Sequence, residues 1–548
     1  MQERTEKNMK NTLLLPLLLL SNLFLFAKND YPTITPVPDS IYEGLSFSMP
    51  KLPEVRFPKR TLSILDFGGI GDGDHDNTHA FSSAIDSLHA LGGGHLIVPE
   101  GVWMTGPITL RDNIDLHLLS GAVIRFLGDK DLYPLTAVNF MGQPTYLCQS
   151  PISGKDLNNI AITGRGVIDG NGDIWRHIKR RKVAPQLWDR ITKSGGIVDG
   201  DQWFPSESYR QGALLDRMHP QAVPSPNDKS LFEPIKDFLR PAMVSLVNCS
   251  NVILDGVTFQ NSPNWCLHPS LCRNLRVSNV NVRNPWYSQN GDAIDIDACA
   301  DVVIYNSTFD VGDDAICVKS GKDLPGKNQG VPSERIVIHG CTVFHAHGGF
   351  VVGSEMSGGV RNVSVTRCTF LGTDSGLRFK SCRGRGGIVE NIFINHIRML
   401  DILAEPIIFN LYYQGKGPEE ALDAEGTPAL PKVDETTPTF KNIYISNVTC
   451  RDARRVFSMA GLPECPIENI IMQNLNITAR DGAKLSHVRG LEMRYCRLDA
   501  TRGHLLRMRH VSNATLIEVH SSFPERDVIE EDHCDSIRYY GIIARVKH

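Results

Sequence analysis

Four short polar motifs fall between Asn290 and Ser381, and their residue types suit acid–base chemistry on an anionic substrate. They read NGDAID (Asn290–Asp295), GDDAICVKSG (Gly312–Gly321), HAHGGFVVGS (His345–Ser354) and GLRFKS (Gly376–Ser381). Asp292, Asp313 and Asp314 stand with His345 and His347 as groups that give and take protons. Arg378 and Lys380 alternate with Leu377 and Phe379. On a strand both would point to one side and repel each other unless an anion lay between them. Lys319 either adds to that positive charge or pairs with the Asp cluster. Three carboxyls gathered on one face would raise the pKa of at least one and keep it protonated as an acid. Such a cluster can also hold a divalent cation. Its neighbours here are Arg378 and Lys380 rather than further oxygen ligands, so the expectation is no metal and no cofactor. His347, flanked by Gly348–Gly349 and followed by Gly353-Ser354-Glu355, is expected on a tight, exposed path.

A repeat must bring these motifs together. Lines of the form Asn-apolar-x-apolar-x-x-apolar-x-apolar recur, as in SNVILDGVTF from Ser250, RNLRVSNVNV from Arg273 and ADVVIYNSTF from Ala300. They continue through ERIVIHGCTV, RNVSVTRCTF, ENIFINHIRM, KNIYISNVTC and ENIIMQNLNI, with an earlier copy at Asn158. Asn positions such as Asn251 and Asn274, or Asn442 and Asn469, lie 23 to 27 residues apart. Each unit shows two alternating stretches and no helix, which means strands that bury their apolar side only by stacking. The expected fold is all-β, a right-handed parallel β-helix. Its repeating Asn would sit at turns, where a short amide tolerates the left-handed conformation. Asp292 and Asp313 are 21 residues apart, close to one coil, so they would stack at about 4.8 Å with Asp314 beside them.

The rest of the chain supplies covers and an address. An N-terminal capping helix is expected from Thr78, with Phe81, Ala84, Ile85 and Leu88 on one face and Gly92–Gly94 as its stop. Residues 175–240 break the repeat and read as an insertion over one face; the run Lys179-Arg180-Arg181-Lys182 within it reads as a solvated helix face. Lys7 and Lys10 precede the apolar run Leu13–Ala27, which reads as a signal peptide over 1–27 and predicts export to a periplasmic or extracellular space. Residues 28–60 read as an extended linker and 61–548 as one catalytic β-helix. With 57 Lys and Arg against 61 Asp and Glu, the net charge of −4 argues against nucleic acid as a partner. No later stretch approaches eighteen apolar residues, so no membrane span is expected. Thirteen cysteines are an odd number, and many fall at matching points of the repeat. They are expected as stacked buried thiols, mostly free.

The order NGD, GDD, HG, R-x-K on such a solenoid resembles the family 28 glycoside hydrolases, the polygalacturonase family. The likeness runs from about Leu62, where LDFGGIGDGDHDNTHAF and GGGHLIVPEG match the family's cap, to about Thr478. The resemblance implies metal-free, inverting hydrolysis. It implies Asp313 as general acid, Asp292 and Asp314 as the residues that hold and activate water, and His347 as the group tuning the acid. It implies Arg378 and Lys380 as the grip on galacturonate, with Asn290 and Lys319 beside them and a late tyrosine at Tyr413 or Tyr412, of which Tyr413 is favoured. Asp295 is expected behind these residues, orienting them. The first motif has Gly291 where the family often has Thr, and the histidine sits one residue further from Gly-Ser than is usual. The R-x-K pair favours α-1,4-linked galacturonan over rhamnose-containing backbones. The insertion would close one end of the cleft and give exo-action on a pectic polysaccharide or oligogalacturonide, by a monomer. Rival expectations are a calcium-dependent β-helix pectate lyase and a non-catalytic glycan-binding β-helix.

Overall fold

The computed structural model of the chain describes residues 32–218, 228–413, 430–523, 528–541 and 545–547. The expected export signal at 1–27 lies outside them. The alternating segments become short strands, and each coil pairs in parallel with the next. Ser250–Asp255, Arg273–Ser278, Ala300–Tyr305, Ser333–His339 and Val360–Thr366 follow one another in this way. Their inward residues Val252, Leu275, Val302, Ile336 and Val363 form one column, each at most 1% exposed. One continuous apolar core runs from Ile64 to Ile529. This is the right-handed parallel β-helix of the all-β reading. The coils differ from the two-strand expectation in one respect. A central coil has three strands, such as Ile294–Asp297, Ala300–Tyr305 and Thr308–Asp310, and the first of these comes from the polar motif itself.

The repeating asparagines make the corners. Asn251 and Asn274 have φ of 56° and 53°, in the left-handed region where a short amide side chain is tolerated. Each amide donates to the one on the coil before. Asn274 Nδ2 lies 2.9 Å from Asn251 Oδ1, Asn251 Nδ2 lies 2.9 Å from Asn159 Oδ1, and Asn159 Nδ2 lies 2.9 Å from Asn113 Oδ1. All thirteen cysteines are free, and ten are buried.

The helix Thr78–Ala90 covers the N-terminal end with Ala80, Phe81, Ala84, Ile85 and Leu88 buried. Thr78 is its first residue rather than its cap; Asn77 holds the cap position and Asp76 Oδ1 accepts from the Thr78 N–H at 2.9 Å. Gly93 ends the turn that follows with φ of 106°, packed so close to Asn113 that a Cβ would lie 2.2 Å from its carbonyl oxygen. Within 175–240 the strands Ile178–Lys179, Gln202–Phe204 and Ile197–Asp199 form a small antiparallel sheet beside the helices Pro185–Lys193 and Glu207–Met218. Trp188, Trp203 and Ile178 are its core. The basic run is not an α-helical face: Ile178–Lys179 is a strand and Arg180–Lys182 a single 3-10 turn.

Phe379 and Phe409 stack in adjacent coils at 4.4 Å and 3° inside this core, both fully buried. Phe409→Ala is expected to cost about 3–5 kcal/mol, seen as a lower denaturant midpoint at unchanged slope. A loss below about 1 kcal/mol would contradict the packing described.

Candidate active site

Strand register decides which motif residues meet. Ile294 lies beside Ile316, Asp295 beside Cys317 and Asp297 beside Lys319. Two residues back along the same ladder, Asp292 lies beside Asp314, and the Ala293 N–H donates to the Asp314 carbonyl at 3.0 Å. The coil step here is 22 residues, not 21, so Asp313 falls beside Gly291 and the expected stacking of Asp292 on Asp313 is corrected by one place. Alternation breaks at the same point. Ala293 and Ile294, like Ala315 and Ile316, both enter the apolar core, which returns Asp292 and Asp314 to the outer face.

The three carboxylates do converge, with one oxygen of each within 4.8 Å of the others. A water bonded to two oxygens at about 2.8 Å and a tetrahedral angle spans about 4.6 Å, so one water fits between them. Each carboxylate has its own surroundings. Lys380 Nζ donates to Asp314 Oδ2 at 2.6 Å and Arg378 to Asp314 Oδ1 at 3.3 Å, so both oxygens that a cation would need are engaged by side-chain charges. Asp313 Oδ1 lies 3.1 Å from His347 Nδ1, and Oδ2 accepts from the Asn290 N–H at 3.2 Å. Asp292 Oδ1 is buried and has no hydrogen-bond partner.

These surroundings set the protons differently from expectation. Burial, then the charges of Asp295, Asp313 and Asp314, push Asp292 well above the usual carboxylate range. Burial does the same to Asp295, against the opposing pull of Lys319. Burial also works to raise Asp313, but the His347 hydrogen bond, the charges of His347 and Lys380 and the Asn290 N–H outweigh it and hold Asp313 below that range. Asp292 and Asp295 are therefore shifted towards the protonated form and Asp313 towards the ionised one. His347 in turn is raised above 6.5, chiefly by its bond to Asp313.

The remaining sequence candidates divide. Tyr413 faces the cations, its ring 5.0 Å from Lys380 Nζ and 5.7 Å from the Arg378 guanidinium. Tyr412 lies elsewhere, under Arg383. Lys319 is buried and committed, bonding Glu355 at 2.9 Å, lying 3.6 Å from Asp295 and resting over Trp265 at 4.8 Å. It lines the cavity, but its charge serves the acids beneath the site. Asn290 contributes a backbone donor to Asp313, and its side-chain oxygen accepts from Arg240. His345 is not part of the cluster; it is 67% exposed and pairs with Asp310. The glycines after His347 are buried rather than on an exposed path. A Cβ on Gly349 would lie 2.6 Å from the Phe370 ring and one on Gly348 would lie 3.3 Å from Asp314. Gly291 has a similar reason: a side chain there would meet Ser288 Oγ at 2.0 Å.

Several contributors were not legible in the motifs. Asp374 comes level with His347 through the pairing of Gly348 with Ser375, and lies 3.8 Å from Nε2. Glu355 accepts from Ser354 at 2.7 Å and pairs with Lys319. Lys182, from the insertion, is near enough to feel the charges of Asp313 and Asp374, while burial lowers its pKa. A cavity of about 670 Å³ lies over the acid cluster and reaches Glu355. Asp292, Asp313, Asp314 and Lys380 line one side; His177, Lys179, Gln202 and Tyr209 of the insertion line another, with Phe140 and Leu147 of the hairpin Leu135–Cys148.

A parallel β-helix that gathers three carboxylates beside Arg378 and Lys380 has the arrangement expected of a glycoside hydrolase. The family model for glycosyl hydrolases family 28 matches residues 236–496. The crystal structure of a hyperthermoactive exopolygalacturonase from Thermotoga maritima is 31% identical, covering 82% of this chain and 93% of that one at a TM-score of 0.64. An exo-poly-alpha-D-galacturonosidase of Dickeya chrysanthemi is 26% identical over 72% of this chain and 62% of its own length. The family 28 exopolygalacturonase of Yersinia enterocolitica, 19% identical, shares the fold at a TM-score of 0.59, covering 89% of this chain and 79% of its own. The chain belongs to glycosyl hydrolase family 28.

The Asp313–His347 pair has a definite pH signature. The folded pKa of His347 is raised above 6.5, so its stabilising effect is fully present below that value and fades as pH rises through the higher folded value. The stability advantage over His347→Gln, measured by urea midpoints, is expected to shrink from pH 6 towards pH 9. An advantage that stays level or grows with pH would rule the pair out.

Proposed function

We propose that this protein is an exo-acting polygalacturonase that hydrolyses α-1,4-galacturonosidic bonds with inversion. The observation that carries the reading is the three-carboxylate cluster within 4.8 Å, set beside Arg378 and Lys380 at a cavity that the insertion lines on one side. A galacturonate carboxylate meets Arg378 and Lys380, with Tyr413 against the sugar ring. Asp313 is the more accessible acid, its side chain 21% exposed against 1% for Asp314, and it meets the bridging oxygen. The substrate's negative charge on Lys380 weakens the field that keeps Asp313 ionised, so Asp313 takes up a proton and delivers it to the leaving oxygen. Asp292 and Asp314 hold the water that attacks the anomeric carbon, and its proton passes to Asp314, since Asp292 favours its protonated form. Inverting enzymes commonly separate their carboxyls by about 6.5–9.5 Å; this cluster is tighter, and the single-water span worked out above supports inversion at the shorter distance.

Closure by the insertion supports exo-action, since an endo-acting cleft stays open at both ends. Export is the further element of the reading; it rests on the basic and apolar residues at 1–27, and no helix among the described residues is long and apolar enough to cross a membrane. The enzyme is taken to act as a monomer.

Asp313→Asn is expected to lower kcat on polygalacturonate about 100- to 10,000-fold while substrate binding persists. Retained turnover would refute Asp313 as the acid. Oligogalacturonates of defined length should release only monomer or dimer; a ladder of intermediate sizes would refute exo-action. Proton NMR of the first product should show the β-anomer, and α-anomer would refute inversion. A calcium chelator should leave the rate unchanged, with no unsaturated product absorbing in the ultraviolet; the opposite pair of results would favour a lyase.

A further inference from the structure

A second groove lies around the corner from the catalytic cavity and shares no lining residue with it. It measures about 510 Å³, and Arg283, Trp286, Asp310 and His345 shape it. Trp286 is 57% exposed, on a turn whose backbone is firmly held. Its neighbour Tyr287 packs against the Trp188–Trp203 core of the insertion. Ser288 closes the turn onto the Pro285 carbonyl, by its N–H at 2.8 Å and its hydroxyl at 2.7 Å. A large indole kept in solvent on a braced turn presents a flat apolar face without further ordering cost.

The groove is also tied to the catalytic residues. Asn284 Nδ2 donates to the Gly291 carbonyl at 3.0 Å, one residue before Asp292. A Cβ on Gly312, one residue before Asp313, would lie 2.5 Å from the Pro285 carbonyl oxygen. His345 stands two residues before His347. Three successive coils therefore pass from this groove straight into the active site.

We propose that the Trp286 groove is a second carbohydrate site, which holds one uronate ring of the same polymer outside the catalytic cavity. The inference rests on the polygalacturonase reading. The C–H face of the sugar would lie on the indole, and its carboxylate would meet Arg283 on the groove wall. Asp310, the one acid lining the groove, is already hydrogen-bonded to His345 at 3.1 Å. Such a site would raise the time the enzyme stays on a long chain and would leave short substrates untouched.

The test compares Trp286→Ala and Trp286→Phe with wild type on polygalacturonate and on trigalacturonate, with retardation in native gels containing polygalacturonate. Trp286→Ala should raise the polymer KM and weaken retardation about 3- to 10-fold, the loss of one aromatic stack. Its kcat/KM on the trimer should stay within about twofold, and Trp286→Phe should keep most of the polymer effect. Equal losses on polymer and trimer would place Trp286 in the catalytic cleft and overturn the proposal, as would no change on either. If wild type fails to cleave polygalacturonate at all, it is the proposed function that falls; an active wild type with an unaffected Trp286→Ala sinks the groove alone. Trp286→Ala should melt with wild type, because the indole is mostly in solvent; an early melt with polymer retention restored by Trp286→Phe would still support the site.

Discussion

Side chains at equivalent positions of a parallel β-helix are never much further apart than the strand spacing, about 4.8 Å. Every outward column must therefore settle its own electrostatics. The columns around the active site do so by alternation. One runs Asp313, His347, Asp374; another runs Asp297, Lys319, Gly353, Lys380, with acid, base and gap in turn. A third places Asp292 beside Asp314, two acids in contact, and compensates sideways through Arg378 and Lys380. Like charges at that distance cannot all ionise in a buried site. Burial and the neighbouring acids accordingly push up the pKa of Asp292, which has no hydrogen-bond partner at Oδ1.

This arrangement makes the cations more than substrate handles. Lys380 is one of the charges that keep Asp313 ionised until another anion competes for it, and Lys380 and Arg378 both bond Asp314. In the proposed reaction a uronate carboxylate is such an anion, and binding and proton delivery would be coupled through these side chains. Lys319 is committed to Glu355 on the cavity wall and lies 3.6 Å from the buried Asp295.

Much of this was legible in the sequence because repetition writes geometry into spacing. The Asn corners gave the coil, and the coil gave the convergence of NGD, GDD, HG and R-x-K. Register was harder: the step from Ile294 to Ile316 is one residue longer than the motif spacing implies, and a one-residue error changes which Asp meets which. Asp374 carries no motif of its own and reaches His347 only through the 27-residue step from Gly348 to Ser375. The place of Lys182 and Tyr209 near the cleft was hidden for another reason. They belong to an insertion with its own antiparallel sheet, and its contact with the cleft depends on tertiary packing rather than on any period. The resting place of the proton follows from burial, which no spacing reveals.

The free thiols have a consequence of a different kind. Cys249, Cys272 and Cys299 sit at matching corners of successive coils, and Cys341 and Cys368 at two more, all sealed against solvent. Their place in the interior is that of small apolar groups filling gaps. The solenoid is therefore held together by strand pairing and packing, with no disulfide among its thirteen cysteines.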